Sequence, residues 1–197
     1  MAARVIKDEK QRCAWCLSSE LEQSYHDSEW GIAERDKERL FECLCLEGAQ
    51  AGLSWLTILK KREGYRAAFH NFSLEKIASF GEADIERLVK NPEIVRHRQK
   101  IASVVTNARA AIAIEESGSD LTKFFWKFVD GRTRVNTFSH MEELPSSSVE
   151  STAMSKDLKK LGFAFVGPTT CYSFMQATGM VHDHLTSCFR YSKGIKK

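Results

Sequence analysis

The chain has 197 residues, of which 43% are hydrophobic and 28% charged, a composition that fits one well-buried domain or at most two small ones. Its net charge of +3 does not by itself indicate a nucleic-acid partner, for which the basic residues would have to be clustered. Residues 1–12 lack the apolar stretch of a signal peptide, and no run approaches the roughly 18 apolar residues of a membrane span. Six cysteines without a secretory signal are more typical of thiols or metal ligands than of disulfides, so we expect an intracellular protein.

The N-terminal segment is polar at first and then rich in aromatic side chains. Residues 1–11 predict a flexible tail. Trp15, Tyr25 and Trp30 follow, with little helical periodicity around the first two. The sequence therefore predicts no helix here.

Residues 45–56 form the most informative stretch. A helix is predicted from about Asp36, with Leu40 and Leu44 at helical spacing. Glu47 comes three residues after Leu44 and shares its buried face, where a carboxylate is costly unless it is compensated. Glycines follow, and the next helix opens with Trp55, so an acid, a flexible turn and an aromatic ring predict a pocket. A salt-bridged or capping Glu47 beside a core Trp55 is equally consistent with this stretch alone.

A pair of helices with a short connection is predicted in the middle of the chain. The first ends before Pro92, because the residue before a proline is disfavoured in a helix, and the second begins near Arg98. Exposed amides at a helix start, flanked by basic side chains, suit a phosphate group. A solvated charged face is the more common meaning of such a run. The basic residues concerned are Arg87, Lys90, Arg96, Arg98 and Lys100, with a second group at residues 60–62.

The C-terminal part predicts helices and one long loop. A helix ends at Gly131, residues 131–148 are polar and predict a loop, and a short basic helix ends at Gly162. Residues 163–167 are strand-like but too few to imply a sheet, and Thr169 or Thr170 is predicted to cap the last helix. The sequence as a whole predicts an all-α domain.

Cysteine and histidine residues occur as two pairs at opposite ends of the chain. His184 and Cys188 are four residues apart, so on a helix they would share one face. With Cys13 and His26 they would complete a Cys₂His₂ set, which suits structural zinc and would join the two chain ends. Free thiols and surface histidines are the alternative. Two further residues are equally near in sequence and remain open as ligands: Cys16 and His182.

Five blocks of sequence, taken together, resemble one enzyme family. They are RCAW at 12–15, YHDSEWG at 25–31, LEGAQAGLSW at 46–55, FAFVG at 163–167 and CYSFMQA at 171–177. In order and spacing they are similar to the 3-methyladenine DNA glycosylase I family, over roughly residues 12–190. The resemblance implies a helix-hairpin-helix glycosylase fold, without the aspartate that most of that superfamily uses. It also implies one structural zinc per chain on Cys13, His26, His184 and Cys188.

The resemblance further implies a role for individual residues. The acid that recognises the base falls on Glu47. The aromatic pocket falls on Trp15, Tyr25 and Trp55, and the side chains that fill the gap left in the DNA fall on Gln50 and Leu53. The hairpin falls on residues 91–97, with Arg96, Arg98 and Lys100 as the expected DNA contacts. Two residues depart from the family pattern: Glu22, where a tyrosine is frequent, and Glu93, where a glycine is usual.

The function implied is excision of 3-methyladenine from alkylated double-stranded DNA by a monomeric, monofunctional hydrolase that does not cut the strand. Its domain would span residues 12–190, with a second flexible tail at 191–197. Two rival hypotheses remain: a DNA- or RNA-binding module that has lost excision, and a zinc-stabilised helical scaffold that binds protein. Glu22 and Glu93 motivate the first rival.

Overall fold

The computed structural model describes residues 9–191, and helices account for most of this part of the chain. The all-α prediction is therefore confirmed, whereas the predicted tails lie almost entirely outside the described residues. None of the described helices has the length and hydropathy needed to cross a membrane. The helices are α1 (Glu20–Ser28), α2 (Lys37–Gln50), α3 (Trp55–Ala68), α4 (Leu74–Ala78), α5 (Glu82–Val89), α6 (Arg98–Glu116), α7 (Leu121–Trp126), α8 (Val149–Lys160) and α9 (Pro168–Ala177), with short 3₁₀ turns at Ala14–Ser18, His70–Phe72, Lys127–Val129 and Met141–Glu143.

Side-chain caps fix the start of the two helices that frame residues 45–56. The Asp36 carboxylate accepts a hydrogen bond from the backbone N–H of Arg39 at 2.9 Å, so α2 begins where the sequence predicts. The Ser54 hydroxyl accepts from the backbone N–H of Thr57 at 3.2 Å, and α3 consequently opens with Trp55. Both predicted helix starts are confirmed.

Two local predictions are wrong. The segment around Trp15 and Tyr25 is helical, because Ser19 caps α1 and packing compensates for the missing apolar stripe. Helix α9 begins at Pro168 with Gly167 as its N-cap, so neither Thr169 nor Thr170 caps it; proline is favoured at a first helical position.

The segment that carries His184 and Cys188 is not helical, so the two residues do not share the face of a helix. Residues 183–185 have no regular structure and residues 186–190 form turns, while Val181–His182 (β2) pairs in parallel with Arg134–Val135 (β1). Strand β1 lies within the predicted loop at 131–148, and β2 follows α9. Neither strand is the strand-like run at 163–167. Two residues a strand are too few to leave a period-2 signal in the sequence.

Helix α2 occupies the centre of the core. It packs against α3, α6 and α9, and its apolar face is fully buried at Leu40, Phe41 and Leu44. The C-terminal end of α2 therefore lies where several helices converge, and Glu47 is in its last turn.

The pair α5 and α6, joined by residues 90–97, is held against α3. The Lys61 ammonium donates to the backbone carbonyl of Pro92 at 2.6 Å, and the Tyr65 hydroxyl accepts from the backbone N–H of Val95 at 3.3 Å. Gly64 allows this approach, since a Cβ at that position would lie 2.3 Å from the backbone carbonyl oxygen of Glu93. The position of the connection thus depends on a glycine in the middle of α3.

We predict that Gly64→Ala will lower the free energy of unfolding by about 2 kcal/mol, because the Glu93 backbone must move to admit the methyl group. Urea denaturation measures this change. Gly81→Ala is the matched control, since a Cβ there meets nothing within 4 Å and its stability should change by well under about 1 kcal/mol. Equal losses in the two variants would contradict the close-packing argument.

Candidate active site

Two adjoining cavities open at the C-terminal end of α2. They have volumes of about 240 Å³ and 220 Å³ and share Glu47, Gln50 and Ser173 in their walls. The larger cavity, which we call the aromatic pocket, is further lined by Trp15, Tyr25, Trp30, Trp55, Met141, Leu144 and Gln176. The smaller one is further lined by Ala51, Gly52, Leu53, Thr169 and Thr170.

Glu47 contributes a buried carboxyl without a partner. The residue is 7% exposed, and within residues 9–191 its side chain makes no hydrogen bond and no ion pair. Burial raises the pKa of the Glu47 carboxyl to about 8. The salt-bridged acid of this helix is instead Glu42, which pairs with Arg62 at 2.6 Å and with Arg66 at 2.9 Å. Glu47 is thus free to meet a ligand.

Aromatic rings form the opposite walls. The ring centroids of Trp15 and Tyr25 are 6.3 Å apart, those of Trp15 and Trp30 5.2 Å, and those of Tyr25 and Trp55 5.3 Å. Burial first, and then the neighbouring Cys43 and Glu47, raises the pKa of the Tyr25 phenol well above its usual value, so the hydroxyl stays neutral. The three aromatic residues expected from the sequence are therefore brought together with Glu47.

Five residues that line the aromatic pocket were not assigned to it from the sequence. Ser173 and Gln176 lie three apart on α9, and only the CYSFMQA block that contains them pointed to their importance. Met141 and Leu144 come from the region predicted as a polar loop. Trp30 was noted as an aromatic but without a place in the pocket.

The α2–α3 loop (residues 51–54) lies at the mouth. Gly52 has φ of +76°, which favours glycine, and the Leu53 backbone N–H donates to the Gln50 carbonyl at 2.6 Å. The Leu53 side chain is 39% exposed and lines the smaller cavity. Gln50 and Leu53 therefore stand at the entrance.

Lys100 does not fit its predicted role as a phosphate contact. The residue is 8% exposed, and its ammonium donates to the backbone carbonyls of Ala49 at 2.8 Å and Ala51 at 2.6 Å. Desolvation lowers the pKa of Lys100. A cation at a helix C-terminus satisfies carbonyls that lack intrahelical partners, so Lys100 caps α2 and holds the start of the α2–α3 loop.

The other predicted DNA contacts differ in availability. Arg98 forms ion pairs with Glu82 and Glu86, whereas Arg96 is exposed and has no ion pair within the described segment. At residues 60–62, Lys61 bonds to Pro92 and Arg62 is ion-paired, so neither is free as was expected.

The two departures from the family pattern have local explanations. The Glu22 carboxylate accepts hydrogen bonds from the Ser18 and Ser19 hydroxyls and does not line the aromatic pocket. At Glu93 the backbone N–H donates to the Asn91 side chain at 2.9 Å, so this amide is already occupied.

Lys100→Met is predicted to lower the free energy of unfolding by about 2 kcal/mol, because two carbonyls lose charge-assisted hydrogen bonds. The logarithmic salt dependence of duplex binding should not change, since no phosphate contact is lost. Arg96→Met is the matched control: it should reduce that slope by about 0.9 and leave stability nearly unchanged. A reduced slope for Lys100→Met would restore the original prediction.

A buried group of cysteine and histidine side chains lies beside the aromatic pocket. It consists of Cys13, His26, His184 and Cys188, whose ligand atoms all lie within 4.8 Å of one another. The Cys188 Sγ is 3.4 Å from His26 Nε2 and 3.6 Å from His184 Nδ1. A hydrogen bond from Cys13, followed by bonds from the two histidines, lowers the pKa of the Cys188 thiol. The group could hold a metal ion.

The remaining ring nitrogens support this arrangement. His26 Nδ1 donates to Asp27 at 2.8 Å, and His184 Nε2 donates to the Trp30 carbonyl at 3.1 Å. Each histidine thereby keeps one nitrogen for a metal, the arrangement usual for metal-bound imidazoles. The two residues left open by spacing are not in the group: Cys16, whose thiol donates to the Cys13 carbonyl, and His182.

Fold and site together define a class: helical proteins with a pocket between indole rings and a buried carboxyl, next to a potential metal centre. The sequence model of the methyladenine glycosylases matches residues 15–191. DNA-3-methyladenine glycosylase 1 of Escherichia coli K12 is 50% identical over 92% of this chain and 97% of its own length.

Solved structures agree. A crystal structure of 3-methyladenine DNA glycosylase I is 52% identical, with a TM-score of 0.89 over 91% of this chain and 98% of that one. A Staphylococcus aureus structure described as the basis of 3-methyladenine recognition by that enzyme is 40% identical, with a TM-score of 0.88 over 90% and 95% of the two chains. The chain belongs to the methyladenine glycosylase family.

Proposed function

We propose that this protein excises 3-methyladenine from alkylated double-stranded DNA by hydrolysing the bond between base and sugar. The observation that carries the proposal is the unpaired, buried carboxyl of Glu47 among aromatic rings. The named activity of its relatives is the same reaction class.

Charge explains the choice of substrate. Methylation at N3 gives adenine a positive charge, and indole faces attract a cation by about 2 kcal/mol or more once water is excluded. An ionised Glu47 would pair with this base and accept its hydrogen bonds. Neutral adenine offers no charge that could offset the cost of ionising a buried carboxyl. The pocket therefore selects damage by charge.

The base must leave the duplex before it can enter the pocket, at a cost of a few kcal/mol of unstacking. We assign Leu53 and Gln50 to the space that the base vacates, because both stand at the mouth. We assign α5, residues 90–97 and α6 as the helix-hairpin-helix element. Arg96 and the first amides of α6 would bind the DNA backbone there without reading sequence.

The cationic base is already a good leaving group, so little acid catalysis is needed. As the glycosidic bond breaks, water attacks C1′ of the sugar while the DNA phosphates and Glu47 stabilise the developing positive charge. No lysine lines either cavity in the described chain, and the Lys100 ammonium is held by two carbonyls. A monofunctional hydrolase follows, and a protein–DNA adduct trapped by borohydride would contradict it.

The Cys₂His₂ group suits structural zinc in number, type and burial of its ligands. Cys13, His26, His184 and Cys188 would hold the ion, which would contribute a cross-link between the two ends of the chain and no step of the reaction. Because His26 contacts Trp15 and His184 contacts Trp30, the ion would also stabilise the aromatic wall of the pocket.

The first test is release of 3-methyladenine from methylated DNA. Glu47→Gln should reduce release by at least about a hundredfold, because a neutral amide cannot pair with the cation, while duplex affinity stays within about twofold. Near-normal release by Glu47→Gln would contradict the role of Glu47. Duplex binding with no release by the wild-type protein would favour the non-catalytic module.

The same residue sets the pH dependence. Because the pKa of Glu47 is raised to about 8, binding a cation below that pH requires the carboxyl to lose its proton. We expect kcat/KM to rise with pH up to about 8 and then level off, and the profile of Glu47→Gln to be flat over this range. A profile that is also flat for the wild-type protein would mean that Glu47 is ionised in the empty pocket.

Elemental analysis should find one zinc ion per chain. Cys13→Ala should lose it, with a fall in melting temperature of roughly 10 °C, because a link between distant chain ends is removed. Cys16→Ala is the matched control, since that thiol is buried nearby but outside the group, and it should keep the metal. A wild-type protein that is stable without any metal would contradict a structural zinc at the Cys₂His₂ group.

The other features stay predictions: one domain over residues 12–190, a monomer, and an intracellular location with access to DNA. The rival of a protein-binding scaffold predicts no affinity for nucleic acid, so duplex binding separates it from both other hypotheses.

A further inference from the structure

A buried carboxylate fixes one polar residue of the aromatic pocket. Asp183, 1% exposed, accepts three hydrogen bonds. Its Oδ1 accepts from the Asn136 side-chain amide at 2.7 Å. Its Oδ2 accepts from the Tyr172 hydroxyl at 2.6 Å and from Gln176 Nε2 at 2.8 Å. Gln176 also lines the pocket that contains Glu47.

This network determines which end of the Gln176 amide is available. A carboxylate is an acceptor only, so the NH₂ group must face Asp183 and the oxygen must point elsewhere. Within residues 9–191 nothing donates a hydrogen bond to Gln176 Oε1, and the residue is half-buried. The pocket therefore has a free acceptor on the α9 side in addition to the carboxyl of Glu47.

We propose that Gln176 is a specificity-determining residue, which accepts a hydrogen bond from the exocyclic amine of the flipped purine and disfavours purines with a 6-oxo group. Asp183 is its positioning residue. The proposal rests on the proposed function and adds a distinction that charge cannot make, because 3-methyladenine and 3-methylguanine are both cations.

The chemistry of the two bases differs at position 6. Adenine carries an NH₂ donor there and guanine carries an oxygen acceptor. Gln176 Oε1 satisfies the first and repels the second. The amide cannot rotate to suit guanine, since its oxygen would then face the Asp183 carboxylate, whose Oδ2 also serves Tyr172.

Gln176→Met tests the proposal, because methionine is similar in volume and lacks the amide. DNA treated with dimethyl sulfate contains both lesions, so mass spectrometry can follow release of 3-methyladenine and 3-methylguanine in one reaction. We expect kcat/KM for 3-methyladenine to fall about tenfold and that for 3-methylguanine to stay level or rise. Equal losses for both bases, or an unchanged ratio, would overturn the proposal.

Asp183→Asn provides a second and directional test. The asparagine NH₂ can donate to Gln176, which then turns its own NH₂ toward the pocket. Preference should shift toward 3-methylguanine by about tenfold. Tyr172→Phe, which leaves the Gln176–Asp183 bond in place, should retain the wild-type preference. Metal content must be measured in parallel, because Asp183 precedes His184, and Gln176→Met decides the matter if Asp183→Asn fails to fold.

Failure of this inference is separable from failure of the function. A wild-type protein that releases neither base overturns the proposed function and this proposal with it. A wild-type protein that releases 3-methyladenine, with a ratio unaffected by Gln176→Met, overturns the specificity role alone.

Discussion

The pocket is organised around one carboxyl that is buried without a partner. Folded proteins rarely keep such a group, and the cost appears as a raised pKa at Glu47. The native state binds this proton more tightly than the unfolded chain, whose carboxyl has the ordinary value near 4.5, so stability falls as pH rises from there to about 8. The unpaired carboxyl thus lowers the free energy of unfolding, and a positively charged base bound beside it would offset that loss.

The segments that carry the Cys₂His₂ group lie against the aromatic pocket. The Trp30 ring lies 4.6 Å from that of His184, and the Trp15 ring 5.6 Å from that of His26. Both indoles line the aromatic pocket while touching the Cys₂His₂ group. Asp183, which fixes Gln176, immediately precedes His184. The two segments that carry the Cys₂His₂ group therefore also shape the pocket.

The sequence predicted most helices and the approximate pocket, for reasons visible in particular residues. Asp36 and Ser54 are local caps, and Glu47 shares a helical face with Leu44, so short-range rules suffice. Lys100 was misjudged because its partners are two carbonyls about fifty residues away in the chain, which no local pattern encodes. Gln176 and the turns around Cys188 depend likewise on tertiary contacts, as does the choice of Cys13 over Cys16.

Lys100 has a mechanical consequence. It belongs to the first turn of α6 and donates two hydrogen bonds to backbone carbonyls at the end of α2. Lys100 thus connects the helix assigned to the DNA backbone directly with the start of the loop that carries Leu53. Under the proposed function, the distance between a DNA phosphate bound at the start of α6 and the Leu53 side chain would be constant, and the enzyme would therefore examine one nucleotide for each backbone position that it binds.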